Sequence, residues 1–219
     1  FATVSAWLGA RVAAGQLPGG RPSVVSAVVS GLRLLRKERD LQGVMAVTII
    51  FNVWGFPFVS MIPVMGKEVL GLSPLPLGVL MSTEGMGAVL GALLILAFAK
   101  VRHYRYIYTY GLFLCLVMAF AFSQATSFLP AAAFLFLTGI GSGCFGAMQG
   151  ALVMLCTPSQ ARSRMMGVLS VCIGLCTLGF LHIGLLGNWL GAEKAIIICT
   201  TEGVLMLGLA CRLDRKSVV

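Results

Sequence analysis

Apolar residues run along this chain in six continuous blocks, at about 42–65, 75–99, 106–124, 130–156, 165–189 and 193–211. Each is close to the roughly 20 residues that a helix needs to cross a hydrocarbon core. A membrane β-barrel would instead show alternating segments of about ten residues. The pattern therefore predicts an all-α membrane protein, with a six-transmembrane-helix bundle over residues 41–212. The stretch Phe134–Gly191 shows the rule most clearly. A glycine-rich apolar helix reaches Pro158, a short turn carries Arg162 and Arg164, and a second long apolar helix follows.

The ends differ from the blocks. Residues 1–14 read as the end of a truncated transmembrane helix, so the chain is expected to be a fragment of a longer protein. Residues 15–40 read as a cytoplasmic linker. Within it Val24, Val25, Val28, Val29, Leu32 and Leu35 recur at helical spacing among Arg33, Arg36, Lys37 and Arg39. That pattern fits an amphipathic helix on an anionic membrane surface, or equally a linker helix packed on its own protein. Residues 213–219 form a basic tail.

Composition agrees with the blocks. Hydrophobic residues make up 58% of the chain and charged residues only 11%, against about 25% charged in soluble domains. The net charge of +9 would point to nucleic acid in a soluble protein; here its distribution argues otherwise. Of the 16 Lys and Arg residues, only Lys67 and Lys194 fall on one side of the predicted bundle. The rest lie in the N-terminal segment, the second-to-third loop, the fourth-to-fifth loop and the tail. By the positive-inside rule both ends face the cytoplasm, and nucleic acid is not an expected partner.

Ionisable and amide groups inside spans are costly and so are candidates for function. Glu84 falls near the middle of the second span with Gly87 and Gly91 on its helix, a small-residue seam that packs against another helix. It is a candidate for substrate or proton coupling, together with Asn52 in the first span and Gln149 in the fourth. Glu202 in the sixth span ranks below Glu84, because Ile198, Cys199, Leu205 and Met206 surround it. His182 reads as a packed, hydrogen-bonded imidazole. Gly139, Gly143, Gly146 and Gly150 join Gly87 and Gly91 as expected packing positions. Pro57 and Pro63 should bend the first span. The seven cysteines lack the His or carboxylate neighbours that a metal site needs, so neither a metal nor a cofactor is expected.

In order, these residues resemble the C-terminal half of a major facilitator superfamily transporter of the drug or siderophore (enterobactin-type) exporter kind. Phe1–Val12 with Gly31-Leu-Arg-Leu-Leu-Arg-Lys is similar to the end of the sixth family helix and the central loop. Asn52 through Pro63, Val69-Leu-Gly-Leu, Leu77-Gly-Val-Leu and Gly85-Met-Gly-Ala-Val-Leu-Gly-Ala resemble helices seven and eight. Gly139-Ile-Gly-Ser-Gly through Gln149 resembles the tenth. Pro158-x-x-x-Arg162-x-Arg164-Met-Met-Gly167 and Gly187-Asn-Trp-Leu-Gly191 resemble the loop into the eleventh helix and that helix's outer end.

Ser163, Cys176 and Asn188 depart from the residues usual there. The resemblance implies half of a twelve-helix secondary transporter in a bacterial inner membrane. It would not be an enzyme. Its work would be proton-coupled efflux of a small molecule by alternating access, with the N-terminal six helices as the missing partner. Pro158, Arg162 and Arg164 would then act at the cytoplasmic gate. The rival readings are an intramembrane serine protease using Ser142 and His182, and a non-catalytic membrane scaffold.

Overall fold

The computed structural model describes residues 31, 33, 35, 36 and 38–215. The expected truncated helix, most of the linker with its amphipathic helix, and residues 216–219 lie outside the described residues. Within them the chain is helical with no strand, and six helices are long and apolar enough to cross a membrane. These are α1 (Arg39–Val69), α2 (Pro74–Phe98), α3 (Val101–Ser123), α4 (Phe128–Cys156), α5 (Ser159–Leu190) and α6 (Ala192–Arg212). The all-α six-span bundle read from the apolar blocks is the architecture found.

The connections follow local chemistry. Ser73 is extended and Pro74 opens α2, where a proline costs no internal hydrogen bond. Gly191 ends α5 at φ 85°, with its N–H on the Gly187 carbonyl, and α6 starts at the next residue. Glycine takes that left-handed conformation without the penalty a Cβ would bring.

Two spans are not continuous α-helices. α1 is α-helical over Arg39–Ile50, widens to a π turn at Phe51–Gly55, and tightens to a 3-10 segment at Pro57–Met61. After Ile62–Val64 it widens again at Met65–Val69. The cause is in the sequence: Pro57 and Pro63 have no N–H to give to the preceding turn. α1 extends beyond the expected block because that last π turn carries Lys67 and Glu68 at its end. α5 breaks at Leu175, between Arg162–Gly174 and Cys176–Leu190, where the sequence reading had one unbroken helix.

The packing forms two groups: α4 holds α2 and α3, and α1 holds α5 and α6, with α3 and α6 meeting between the groups. α2 touches the bundle mainly along one line, with Leu80, Gly87 and Gly91 buried. Its exposed residues, such as Val79, Met86, Val89 and Leu93, suit a lipid environment.

That line is a reciprocal seam. A Cβ on Gly87 or Gly91 would collide with the carbonyl oxygens of Phe136 or Ile140 in α4. A Cβ on Gly139 or Gly143 would collide with those of Glu84 or Ala88 in α2. Each backbone thus lies directly on the other, as small residues permit in membranes. On another side of α4, Gly141 meets the Gly111 carbonyl of α3 in the same way. Gly146 and Gly150, expected as packing positions, do not share the seam: nothing lies within 4 Å of a Cβ built on either.

The two kinds of glycine should separate on substitution. Gly143→Ala is expected to destabilise the bundle by about 3 kcal/mol, the upper range for overpacking. Gly146→Ala should leave stability unchanged or raise it by up to about 1 kcal/mol through helix propensity. Thermal unfolding of the detergent-solubilised protein, followed by circular dichroism, measures both; equal losses would show that the seam is not where the backbones meet.

Candidate functional site

Three polar constellations lie between the spans. The first crosses the glycine seam. Ser142 of α4 donates to Glu84 Oε1 at 3.1 Å and lies 3.0 Å from its own helix's Gly139 carbonyl. One hydroxyl proton thus faces two acceptors, the carboxylate and a backbone oxygen. Because Gly139 and Gly143 bring the backbones together, the short serine side chain reaches across. Glu84 is half-buried.

The second constellation joins α1, α5 and α6. Glu202 Oε2 accepts from Trp54 Nε1 at 2.9 Å and stands 2.9 Å from His182 Nε2. Trp54 is also held through its carbonyl, which accepts from Cys199 Sγ at 3.5 Å. Glu202 therefore has the richer set of partners, against its lower ranking from sequence. The signal lay one residue on: Gly203 is buried, and a Cβ there would meet Trp54 and Leu116. A small-residue contact does exist beside Glu202, made by one glycine rather than by a spaced pair. His182 follows Gly179 by three residues, and Gly179 lies against Val53 and Pro57 of α1.

The third constellation is the junction of α1, α3 and α4. The hydroxyls of Thr48 and Tyr108 are 2.7 Å apart, and Thr48 Oγ1 lies 2.8 Å from the Val44 carbonyl oxygen. Phe145 stacks between Tyr108 and Phe51, at 4.5 and 4.0 Å between ring centroids. Asn52 is buried here, but its amide donates to the Thr48 carbonyl of its own helix at 2.8 Å, not across an interface. Gln149 differs: its buried Nε2 has no hydrogen-bond partner among the described residues.

At the basic end, Arg162 Nε lies 3.4 Å from the Thr157 carbonyl at the end of α4, where the helix dipole favours a cation. Pro158 and Arg164 are exposed, and the Arg164 carbonyl lies beside Gly31. Asp40 at the start of α1 pairs with Arg105 of α3 at 3.0 Å. No group of three or more possible metal ligands occurs among the described residues. Ser142 and His182, which a serine protease would have to bring together, belong to different interfaces and engage different carboxylates.

The profile of the Major Facilitator Superfamily matches residues 1–180. The chain belongs to this superfamily. It is accordingly a membrane transporter of small molecules set in a lipid bilayer. No curated protein and no solved structure matches it. For a superfamily transporter the first two constellations have a common form: a carboxylate at mid-span held by a donor on a neighbouring helix. Glu84 is held by one such donor, Glu202 by two.

That difference should be measurable as stability. Interhelical hydrogen bonds in membranes average about 0.6 kcal/mol, with a maximum near 1.7. Ser142→Ala should therefore cost about 0.6 kcal/mol and Glu202→Leu about 1–2 kcal/mol, read by unfolding in mixed detergent–SDS micelles. A smaller loss for Glu202→Leu than for Ser142→Ala would mean that the three-helix cluster does not tie the spans.

Proposed function

We propose that the protein is one six-helix half of a proton-coupled efflux transporter that works by alternating access, with its small-molecule site shared with a second six-helix half. Membership of the superfamily over residues 1–180 carries this reading. In such a transporter the two six-helix halves rock against each other around a site between them. The bacterial inner membrane, with both ends of the chain cytoplasmic, is the location that the charge distribution and the resemblance to exporters favour.

In this reading Glu84 couples the proton. It stands at mid-depth on the closest helix contact of the bundle, so a shift of α2 against α4 changes what its carboxylate meets. Once protonated it would become a donor to Ser142 instead of an acceptor. Gln149 is the substrate-facing candidate, supported by its unpaired amide nitrogen, which a ligand oxygen could satisfy. Asn52 is the weaker one, because its amide is already engaged within α1. Pro158, Arg162 and Arg164 form the cytoplasmic gate, with Arg162 seated on the end of α4 when that side is closed.

Two measurements test the proposal. In the full-length transporter, Glu84→Gln should abolish uphill transport while substrate binding persists, because glutamine keeps the shape but cannot titrate. Uphill transport at the wild-type rate would remove Glu84 from coupling. For the orientation, single cysteines in a cysteine-free background at positions 67 and 194 should react with an impermeant thiol reagent added outside intact cells. Those at 102 and 162 should not react. The reverse pattern would invert the topology.

A further inference from the structure

The cluster of Trp54, Glu202 and His182 stands apart from Glu84 and Ser142, which pair across α2 and α4. Its depth is informative. From Ala192 at the start of α6 to Glu202 is about ten residues, roughly 15 Å at 1.5 Å per residue. That is half of a hydrocarbon core of about 30 Å. A carboxylate at that depth is expensive, and intramembrane carboxylates mark ion and proton pathways. The pair is not sealed: the side chains of His182 and Glu202 are 38% and 40% exposed.

A cavity of about 940 Å³ between α1, α3 and α6 reaches toward this depth from the basic end. Its lining starts at Gln42, Arg102 and Tyr106 and continues inward to Trp54 of α1 and Met206 of α6. From Gln42 to Trp54 the distance along α1 is roughly 18 Å. Glu202 comes one helical turn beyond Met206 on α6, roughly 6 Å deeper. Trp54 belongs to both features. It lines the inner end of the cavity, and its indole Nε1 donates to Glu202 Oε2 at 2.9 Å. At about 30 Å³ per molecule, such a space holds on the order of 30 waters. Gln42, Thr109 and Tyr110 offer them polar partners along the way.

The pair has room for one proton. With the carboxylate charged and the imidazole neutral, the cluster carries a net negative charge inside the membrane. One proton on either partner makes it net neutral, and a second would leave an imidazolium unmatched. Both donors use the same oxygen, Glu202 Oε2. An imidazolium would bind that oxygen more strongly, and a neutral carboxyl would accept less well. Either way the indole N–H, which can only donate, loses part of its hold. The facing spans bring no further charge to this level. α1 has no ionisable residue between Asp40 and Lys67, and α3 beyond Tyr110 has only Cys115. α5 adds the thiols of Cys172 and Cys176 to His182, and Glu193 and Lys194 lie more than two turns away along α6. The thiol of Cys199 donates to the Trp54 carbonyl.

We propose that Glu202 and His182 form a one-proton site that fills from the basic end through this cavity, with Trp54 as its cover. The site is distinct from the coupling role given to Glu84 and needs only that the chain spans a membrane.

The test is stopped-flow tryptophan fluorescence of the full-length transporter in proteoliposomes that all present the basic end outward. Subtracting the trace of Trp54→Phe isolates Trp54 from the other tryptophans. A pH step within about 5–8, where imidazoles titrate, should change Trp54 emission when applied at the basic end. The same step at the opposite face should act about tenfold more slowly. Glu202→Gln should cut the amplitude about tenfold. Ala46→Phe and Ala210→Phe, which narrow the cavity, should each slow the response about threefold while leaving the final emission unchanged, as a misfolded variant would not. A silent Trp54, equal rates from the two faces (as a cavity filled by lipid would give), full amplitude in Glu202→Gln, or an unslowed response in both cavity variants would each overturn the assignment.

Discussion

Inside a bilayer, a leucine buried against another helix gains little over a leucine left in lipid, so close backbone approach has to supply much of the association. The contact of α2 with α4 meets that requirement. Gly87 and Gly91 place their α-carbons under the carbonyls of α4, and Gly139 and Gly143 do the same under those of α2. Such Cα–H···O contacts are individually weak, but here they repeat at four-residue spacing and in both directions. α2 has few other buried positions, so its placement depends on this seam. The geometry of Glu84 depends on it in turn, because Ser142 reaches the carboxylate only while the backbones touch.

The contact of α5 with α1 is built differently. α5 approaches α1 at Gly179, against Val53 and Pro57. Pro57 withholds the N–H that would have bonded the Val53 carbonyl, so the approach falls where α1 is already irregular. Further along, Gly187 meets only the flexible side chain of Met61. The Trp54–Glu202–His182 cluster adds side-chain ties that join three helices beside this single glycine contact. Both contacts thus combine close backbone approach with a polar tie, the glycines being more numerous in one and the hydrogen bonds in the other.

The spans were legible in the sequence because an apolar run of membrane-crossing length has few alternative folds. The Gly87–Gly91 seam was legible because its four-residue spacing repeats on one helix face. Glu202 was not. Its partners lie far from it in sequence, at positions 54 and 182, and its one close contact comes from a single glycine with no period to reveal it. Gly146 and Gly150 continue the spacing of Gly139 and Gly143 but meet no neighbour, so periodicity along one helix overstated the length of the contact. The break in α5 at Leu175 has no proline to announce it. The membrane-surface character expected for the linker concerns mostly residues outside those described.

The segmented form of α1 also means that its end-to-end length is not set by its number of residues. A 3-10 segment rises about 2.0 Å per residue and an α-helix about 1.5 Å. For the five residues of Pro57–Met61, exchange between the two forms displaces the far end of the span by about 2.5 Å. The π turns at Phe51–Gly55 and Met65–Val69 carry a wider hydrogen-bond register than the α-helical parts of the span. The height at which α1 delivers its loop is therefore fixed by its succession of helix types as much as by its residue count.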